Sequence, residues 1–362
     1  MRLDNSGNLS RANYFGSRLH PALLAISLLM AGSAFAPAET CTTQSALAPA
    51  ERNALADAAR NLALKVQSND AASLKAESVA ELAKDFGALQ YLVAVTSPKL
   101  AGGVATVEQV NVLDATSLKR NADGSAPSAE FSCSLNQSTM ETQFAIPALP
   151  PGKYAFAMVA IASPSAAAKT APWRLSFLLR QEPPSQGKWM LAGFYPKALT
   201  AAGHDGLWYW TQARQMVKDK QPWNAWLYYQ AAQTLLQPAD FVMSTHLDKL
   251  RTEAATAAPP ALSDGINLDA PLVVKSVGGT EYHFTGLAMD DSLAESSPDI
   301  AVHLRVDPLA DQVAARKRNT DAAIALLAAY PELRKPFHGI RVYAEAPGQN
   351  PFTTEQPMSE IK

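Results

Sequence analysis

Cysteine is scarce in this chain: Cys41 and Cys133 are the only two in 362 residues. A cysteine-rich disulfide framework and a thiolate-held metal site are both excluded, because each needs several sulfurs at short spacing. Histidine offers no metal site either. Beyond residue 38 it occurs at His204, His246, His283, His303 and His338, none at ligand spacing from another. His-Glu-x-x-His, Cys-x-x-Cys, Gly-x-Ser-x-Gly, a phosphate-binding Gly-rich loop and Gly-x-Gly-x-x-Gly are all missing. Their absence removes the familiar metalloprotease, dithiol, serine-hydrolase, nucleotide and dinucleotide readings. Charge is modest, 31 basic against 33 acidic residues. Nothing forms the clustered positive face that a nucleic acid partner needs. The densest basic run, Arg316-Lys317-Arg318, sits inside a helical pattern and reads as a solvated face. With 48% hydrophobic and 18% charged residues the composition is that of a packed protein, not a disordered one.

One long apolar run exists, Ala22 to Ala36, preceded by Arg2, Arg11 and Arg18 and followed by Ala36-Pro37-Ala38. A positive leader, a short apolar segment and a small-x-small cleavage site, in that order, predict a secretory signal peptide over residues 1–38. The run is shorter than the roughly twenty apolar residues that cross a bilayer. The expected product is exported, periplasmic or extracellular, begins near Glu39 and has no membrane span. Removing the leader takes away three arginines and Asp4, leaving 28 basic and 32 acidic residues. An exported chain can hold one disulfide from its two cysteines. Cys41 lacks the preceding sequence of a lipoprotein, and Cys133 alternates with Phe131 and Leu135 on a strand face. A Cys41–Cys133 bridge and two unpaired thiols are equally compatible with this.

The periodicities predict an α+β protein: N-terminal helices plus a curved antiparallel sheet, a central helical hairpin, and a small C-terminal α+β unit. Leu55, Ala59, Leu62 and Val66 form a helical stripe from near Pro49, and Leu82, Phe86 and Leu89 repeat it before Pro98. From Gly103 the period becomes two. The clearest strand is Trp173-x-Leu175-x-Phe177-x-Leu179, with Arg174, Ser176, Leu178 and Arg180 on the other face, and a Pro183–Gly187 turn leads to Trp189–Tyr195. These elements make residues 47–200 one α+β domain. Residues 205–255 read as helical, with Tyr209, Ala213 and Met216 on one stripe and Ala225, Tyr229 and Ala232 on the next. Residues 256–266 read as a linker, and 267–347 as a hairpin, a strand, a helix and a final strand. The helix is expected over about 308–330 with stripe Val313, Thr320, Ile324 and Leu327. Residues 348–362 read as an extended tail.

Helices followed by the closing WRLSFLLRQ…GKWMLAGFY hairpin resemble the ketosteroid-isomerase-like, or nuclear-transport-factor-like, cone domain. That resemblance implies a cavity with an acid and a hydrogen-bond donor inside it. Glu108, Asp114, Glu130 and Glu141 lie on strands, but no spacing assigns one to an interior, so no catalytic residue is carried over. Leu149-Pro150-Pro151-Gly152-Lys153-Tyr154 instead resembles the turn of transthyretin-like sandwiches. The 209–232 stripes resemble one degenerate tetratricopeptide repeat, too few to build a peptide-binding superhelix.

Candidate functional residues gather where sheet gives way to helix. His204 beside Asp205 offers an acid–base pair or, more simply, a helix cap with a surface histidine. Trp208, Trp210, Trp223 and Tyr228 form, with Trp226 and Tyr229, an aromatic cluster that serves either as core or as a stacking surface. On the inner stripe Trp226 and Tyr229 are expected buried; Trp208 and Trp223, near their helix starts, are expected to be at most partly exposed. The reading that follows is an exported non-catalytic binding or assembly module, its partner another envelope protein or a peptide. An enzyme or small-molecule binder using the cone cavity is the alternative. Neither reading calls for a cofactor or a metal.

Overall fold

The structure is a computed structural model that describes residues 39–134, 139–163, 171–181, 187–291, 297–308 and 311–361. The signal-peptide reading of residues 1–38, Leu135 and most of the Pro183–Gly187 turn lie outside the described residues.

The chain is α+β. Strand β1 (Thr40–Thr43) precedes four helices, α1 (Pro49–Gln67), α2 (Ala71–Ala76), α3 (Ala80–Lys84) and α4 (Gly87–Thr96). The stripe Leu82–Phe86–Leu89 is thus shared by two helices that break at Asp85-Phe86. Then come β2 (Val104–Asp114), β3 (Ala129–Ser134), β4 (Glu141–Ile146), β5 (Lys153–Ala162), β6 (Trp173–Gln181) and β7 (Trp189–Ala198). Strands β1, β2, β5, β6 and β7 form one antiparallel sheet in the order β1-β2-β5-β6-β7. Both of its faces are covered. On β5, Ala155, Ala157, Val159 and Ile161 point to the helices, against Leu55, Ala59, Leu62 and Val66 of α1. The alternate residues Tyr154 and Phe156 pack on Phe131, Phe144 and Ile146 of β3 and β4. The alternation on β6 is as the sequence implies, but its second face is not a solvated one. Leu178 is 5% exposed and Ser176 fully buried, because a second sheet lies over them.

That second sheet, β10-β4-β3, draws its outer strand from the helical half of the chain. After the small pair β8 (Thr200–Ala201) and β9 (His204–Asp205) come α5 (Gly206–Lys218) and α6 (Pro222–Leu236). Strand β10 (Val242–Ser244) then pairs with β4, Val242 opposite Phe144, and α7 (Thr245–Ala257) follows. The two sheets are also joined covalently. Cys41 on β1 and Cys133 on β3 form a disulfide with Cα atoms 5.2 Å apart.

The C-terminal part holds β11 (Leu272–Lys275), β12 (Glu281–Asp290), β13 (Asp299–Arg305), α8 (Gln312–Ala329), β14 (Gly339–Glu345) and β15 (Phe352–Pro357). They form one sheet in chain order, antiparallel except for the parallel pair β13–β14 that α8 connects. Its core is continuous with that of α5–α7: Tyr209, Ala213, Leu227 and Tyr229 belong to the same apolar cluster as Phe284, Val302, Leu326 and Ile340. Residues 205–255 and 267–347 therefore pack as one body across the segment expected to be a linker.

Two expectations here are corrected. Of the expected stripe on α8, Leu327 is buried and Thr320 half-buried, but Val313 is 78% exposed and Ile324 also faces outward. The buried face is Ala315, Asn319, Ala322, Ala323, Ala325, Leu326 and Leu327. Small side chains let the helix lie close on the sheet. Buried Asn319 has partners there, its amide donating to the Phe352 carbonyl and the Thr354 hydroxyl, both at 3.2 Å. Nor is the tail a free arm, because β15 is the fifth strand of the sheet and Ile361 is buried.

Candidate functional site

Strand β2 carries a β-bulge that decides what the central cleft contains. Val107 pairs with Val159 and Gln109 with Met158, which leaves Glu108 as the extra residue. Before it, Ala105 and Val107 face the helices; after it, Val110 and Val112 do. Strict alternation would have aimed Gln109 and Asn111 into the helical core. The bulge turns both amides to the opposite face, as bulges commonly do beside a site. The extra Glu108 accepts an ion-paired hydrogen bond from Arg174 Nε on β6 at 2.9 Å.

On that face lies a cavity of about 500 Å³ between the two sheets and the helices α5–α7. Its walls are Phe156 and Met158 of β5, Phe144 of β4, Val242 of β10, Leu207 and Trp210 of α5, Leu236 at the end of α6, Pro238 just beyond it, and Leu247 of α7. Polar groups are few: Gln109, Asn111, Thr142, Arg174, Ser244 and His246. The Gln109 amide donates to Asn111 Oδ1 at 3.3 Å. Ser244 caps α7 by accepting from the Leu247 N–H, so its hydroxyl is partly committed. No carboxylate lines the cavity among the described residues; Glu108 is not in the lining but pairs with Arg174, which is. Asp114, Glu130 and Glu141 are not part of the lining.

Of the candidates read from sequence, Trp210 alone lines the cavity. Its indole N–H donates to Glu253 at 2.8 Å. Arg214 grips the same carboxylate through two nitrogens at 2.7 and 2.9 Å and lies 4.4 Å over the Trp210 ring. Hydrogen bonds from Arg214 and then from Trp210 hold the Glu253 carboxyl below the usual range, while Arg214 is pushed up. This network fixes the angle of the indole that walls the cavity.

Comparison with known protein families, curated proteins and solved structures finds no match to this chain. Its residues must speak for themselves.

The remaining candidates do other work. Asp205 caps α5, accepting from the Trp208 N–H at 2.8 Å, and His204 stacks on the Trp208 ring at 3.6 Å. The pair is therefore the cap with a stacked histidine, and neither residue reaches the cavity. Trp223 is 4% exposed, with its ring 4.2 Å from that of Tyr330 and its N–H bonded to Glu332. Trp223, expected to be at most partly exposed, is buried and packs α6 against the segment that follows α8. Tyr228 is buried beside Phe337, and burial pushes its hydroxyl up to about 12. Trp226, expected inside, is half-buried at the edge of the cluster. Helix α6 is enclosed on most sides, between α5, α7 and β12, so a single inner stripe does not describe it.

Sequence reasoning missed Gln109, Asn111, Met158 and Ser244 as site residues. A bulge shifts facing without changing composition, and only a broken alternation, Val107 against Val110 and Val112, hints at it. Among the described residues no group of three or more His, Cys, Asp or Glu is placed to hold a metal ion, and no helix is long and apolar enough to cross a membrane.

Proposed function

We propose that the protein is an exported binding module that holds one small, mainly apolar molecule in the cavity between its sheets and helices. The observation that carries this reading is the lining: an apolar body about 500 Å³ in volume into which the β2 bulge turns the amides of Gln109 and Asn111. Ligand pockets have this size and this ratio of apolar wall to placed polar groups. The amides of Gln109 and Asn111, with Arg174, suit a ligand that has an acceptor at one end. Assembly with an envelope partner rests on less, because only Trp208 and Trp226 of the aromatic cluster reach the surface in part.

Helices on one face of a five-stranded antiparallel sheet support the cone-like reading of residues 47–200. The second sheet packed behind the Leu149–Tyr154 turn supports the sandwich-like one. Facing stripes on α5 and α6 support the tetratricopeptide-like reading. There Gly206 permits a close approach, since a Cβ would lie 2.6 Å from Leu236. Export rests on residues 1–38 of the sequence; N-terminal sequencing of the envelope fraction should begin near residues 37–41. A chain that keeps Met1 and stays in the cytoplasm overturns that part.

The binding reading is tested by titrating the protein with 1-anilinonaphthalene-8-sulfonate and with a medium-chain fatty acid while following Trp fluorescence. One saturable site is expected. Leu207 lines the cavity yet is 59% exposed, so Leu207→Trp should block entry without disturbing the core. Absence of saturable binding, or binding that Leu207→Trp leaves unchanged, refutes the reading.

A further inference from the structure

A second opening, of about 520 Å³, lies in the C-terminal sheet and has different chemistry. It sits beyond the carboxyl end of β13, one of the two parallel strands, where the chain leaves the sheet toward α8. Crevices outside the carboxyl ends of parallel strands are places where such sheets take ligands, because the departing loops leave a gap there. Here the gap is bordered by Tyr282 and His283 of β12, by Arg305 at the end of β13, and by Arg318 of α8.

The basic run on α8 is not uniform. Lys317 is spent on Asp321, 2.6 Å away. Arg318 turns instead toward the crevice, half-buried, and its contacts are long: 3.3 and 3.4 Å to Asn319 Oδ1 and 3.4 Å to the Asp307 carbonyl. No carboxylate lies at ion-pair distance from it among the described residues. Burial lowers its pKa, as expected for a cation losing water without gaining a counter-ion. Arg305 is exposed and likewise has no carboxylate at ion-pair distance among the described residues; it donates to the Leu268 carbonyl at 3.1 Å and lies 3.4 Å from His283 Nδ1. Two acids border the crevice. Glu281 is already held by Lys275 at 2.9 Å, and exposed Asp307 gives Arg318 only its main-chain oxygen. The same sheet shows what a structural arginine looks like: Arg341 is surrounded by Asp290, Asp299 and Glu355. Against it, two uncompensated guanidiniums bordering one opening stand out.

We propose that this crevice is a binding site for a small organic oxyanion, a carboxylate or a phosphate monoester, taken between Arg305 and Arg318. Guanidinium forks match the planar oxygens of either group and discharge the desolvation that Arg318 carries. The site is separate from the apolar cavity and does not depend on what that cavity holds.

The test is calorimetric titration of the full chain, in low-chloride buffer, with inorganic phosphate and with succinate. One-site saturation by at least one of them is expected. Preference for phosphate assigns a phosphate monoester, and preference for succinate a carboxylate. Arg318→Gln and Arg305→Gln should each weaken binding about tenfold or more, the worth of a charge-assisted contact. Lys317→Gln removes the same charge from the same helix but should change affinity less than about twofold. If Arg318→Gln fails to fold, the exposed Arg305→Gln carries the measurement. Saturation by neither anion, or equal weakening by Lys317→Gln, overturns the proposal.

Discussion

Truncating Phe177 to alanine probes the layered core most directly. The ring is fully buried at the centre of β6, between β5 and β7, and faces the helices. Removing it forfeits the transfer energy of its lost carbons, on the order of 2–3 kcal/mol, and leaves a void that costs about 24 cal/mol per Å³ where neighbours do not collapse. Collapse is hindered on this strand, because Tyr154, Phe156 and the second sheet press from the opposite face. Phe194, stacked at 5.4 Å, loses its partner as well, worth a further ~1 kcal/mol. The expected loss is about 3–5 kcal/mol, read from urea titration followed by far-ultraviolet circular dichroism with an unchanged slope. The variant should still bind the apolar probe, since Phe177 lies on the side of the sheet away from the cavity. A loss below about 1 kcal/mol, or binding abolished in folded protein, refutes the layering argued here.

Three further outcomes follow from the structure. Trp223→Ala should destabilise by about 3–5 kcal/mol, whereas half-buried Trp226→Ala should cost markedly less; equal effects in thermal unfolding would contradict the packing of α6. Glu253 has its folded pKa depressed, so the stability it contributes is present above its ordinary range and is lost as pH falls through the lowered value. Glu253→Gln should therefore cost about 1 kcal/mol at pH 7, a charged contact discounted for partial exposure, and the gap to wild type should close under acid; a gap independent of pH counts against the Arg214–Glu253 network. Reducing Cys41–Cys133, which spans 92 residues, should lower stability by about 4–5 kcal/mol on the loop-entropy account, measured as a shift in urea midpoint with and without dithiothreitol; no shift would rule that account out.

Much of the fold was legible from periodicity where an element has one wet and one dry face. Helix α1 is such a case, its inward Leu55 and Leu62 buried as read. Strand β6 was legible too, with Leu175 and Phe177 buried, because Arg174, Ser176 and Arg180 keep its alternation visible although a second sheet covers its other face. Legibility failed where an element is covered on both sides or packed through small residues. Helix α6 lies between α5, α7 and β12, so Trp223 and Trp226 exchange the environments that a single stripe assigns them. Helix α8 packs through alanines, one satisfied asparagine and Leu326 and Leu327 at its C-terminal end, so the larger Val313 and Ile324 misled the first half of the stripe. The candidate site was hardest to foresee. Its walls come from strands and helices a hundred residues apart, and its amides owe their direction to one inserted residue, Glu108. Trp210 was visible as an aromatic near a helix start; nothing local distinguished it from Trp208, which stacks on His204 instead.

The pairing of β10 with β4 bears on how the chain can be made and cut. During synthesis the β3–β4 hairpin leaves the ribosome about a hundred residues before Val242, and until then the edge of β4 away from β3 is bare, with Phe144 paired only to Phe131. Exposed edges of this kind recruit other chains. A fragment ending near residue 200 keeps the whole five-stranded sheet yet lacks its outer staple. The boundary that looks natural on paper is therefore a poor place for scissors, and the first half depends on the second half to keep it soluble.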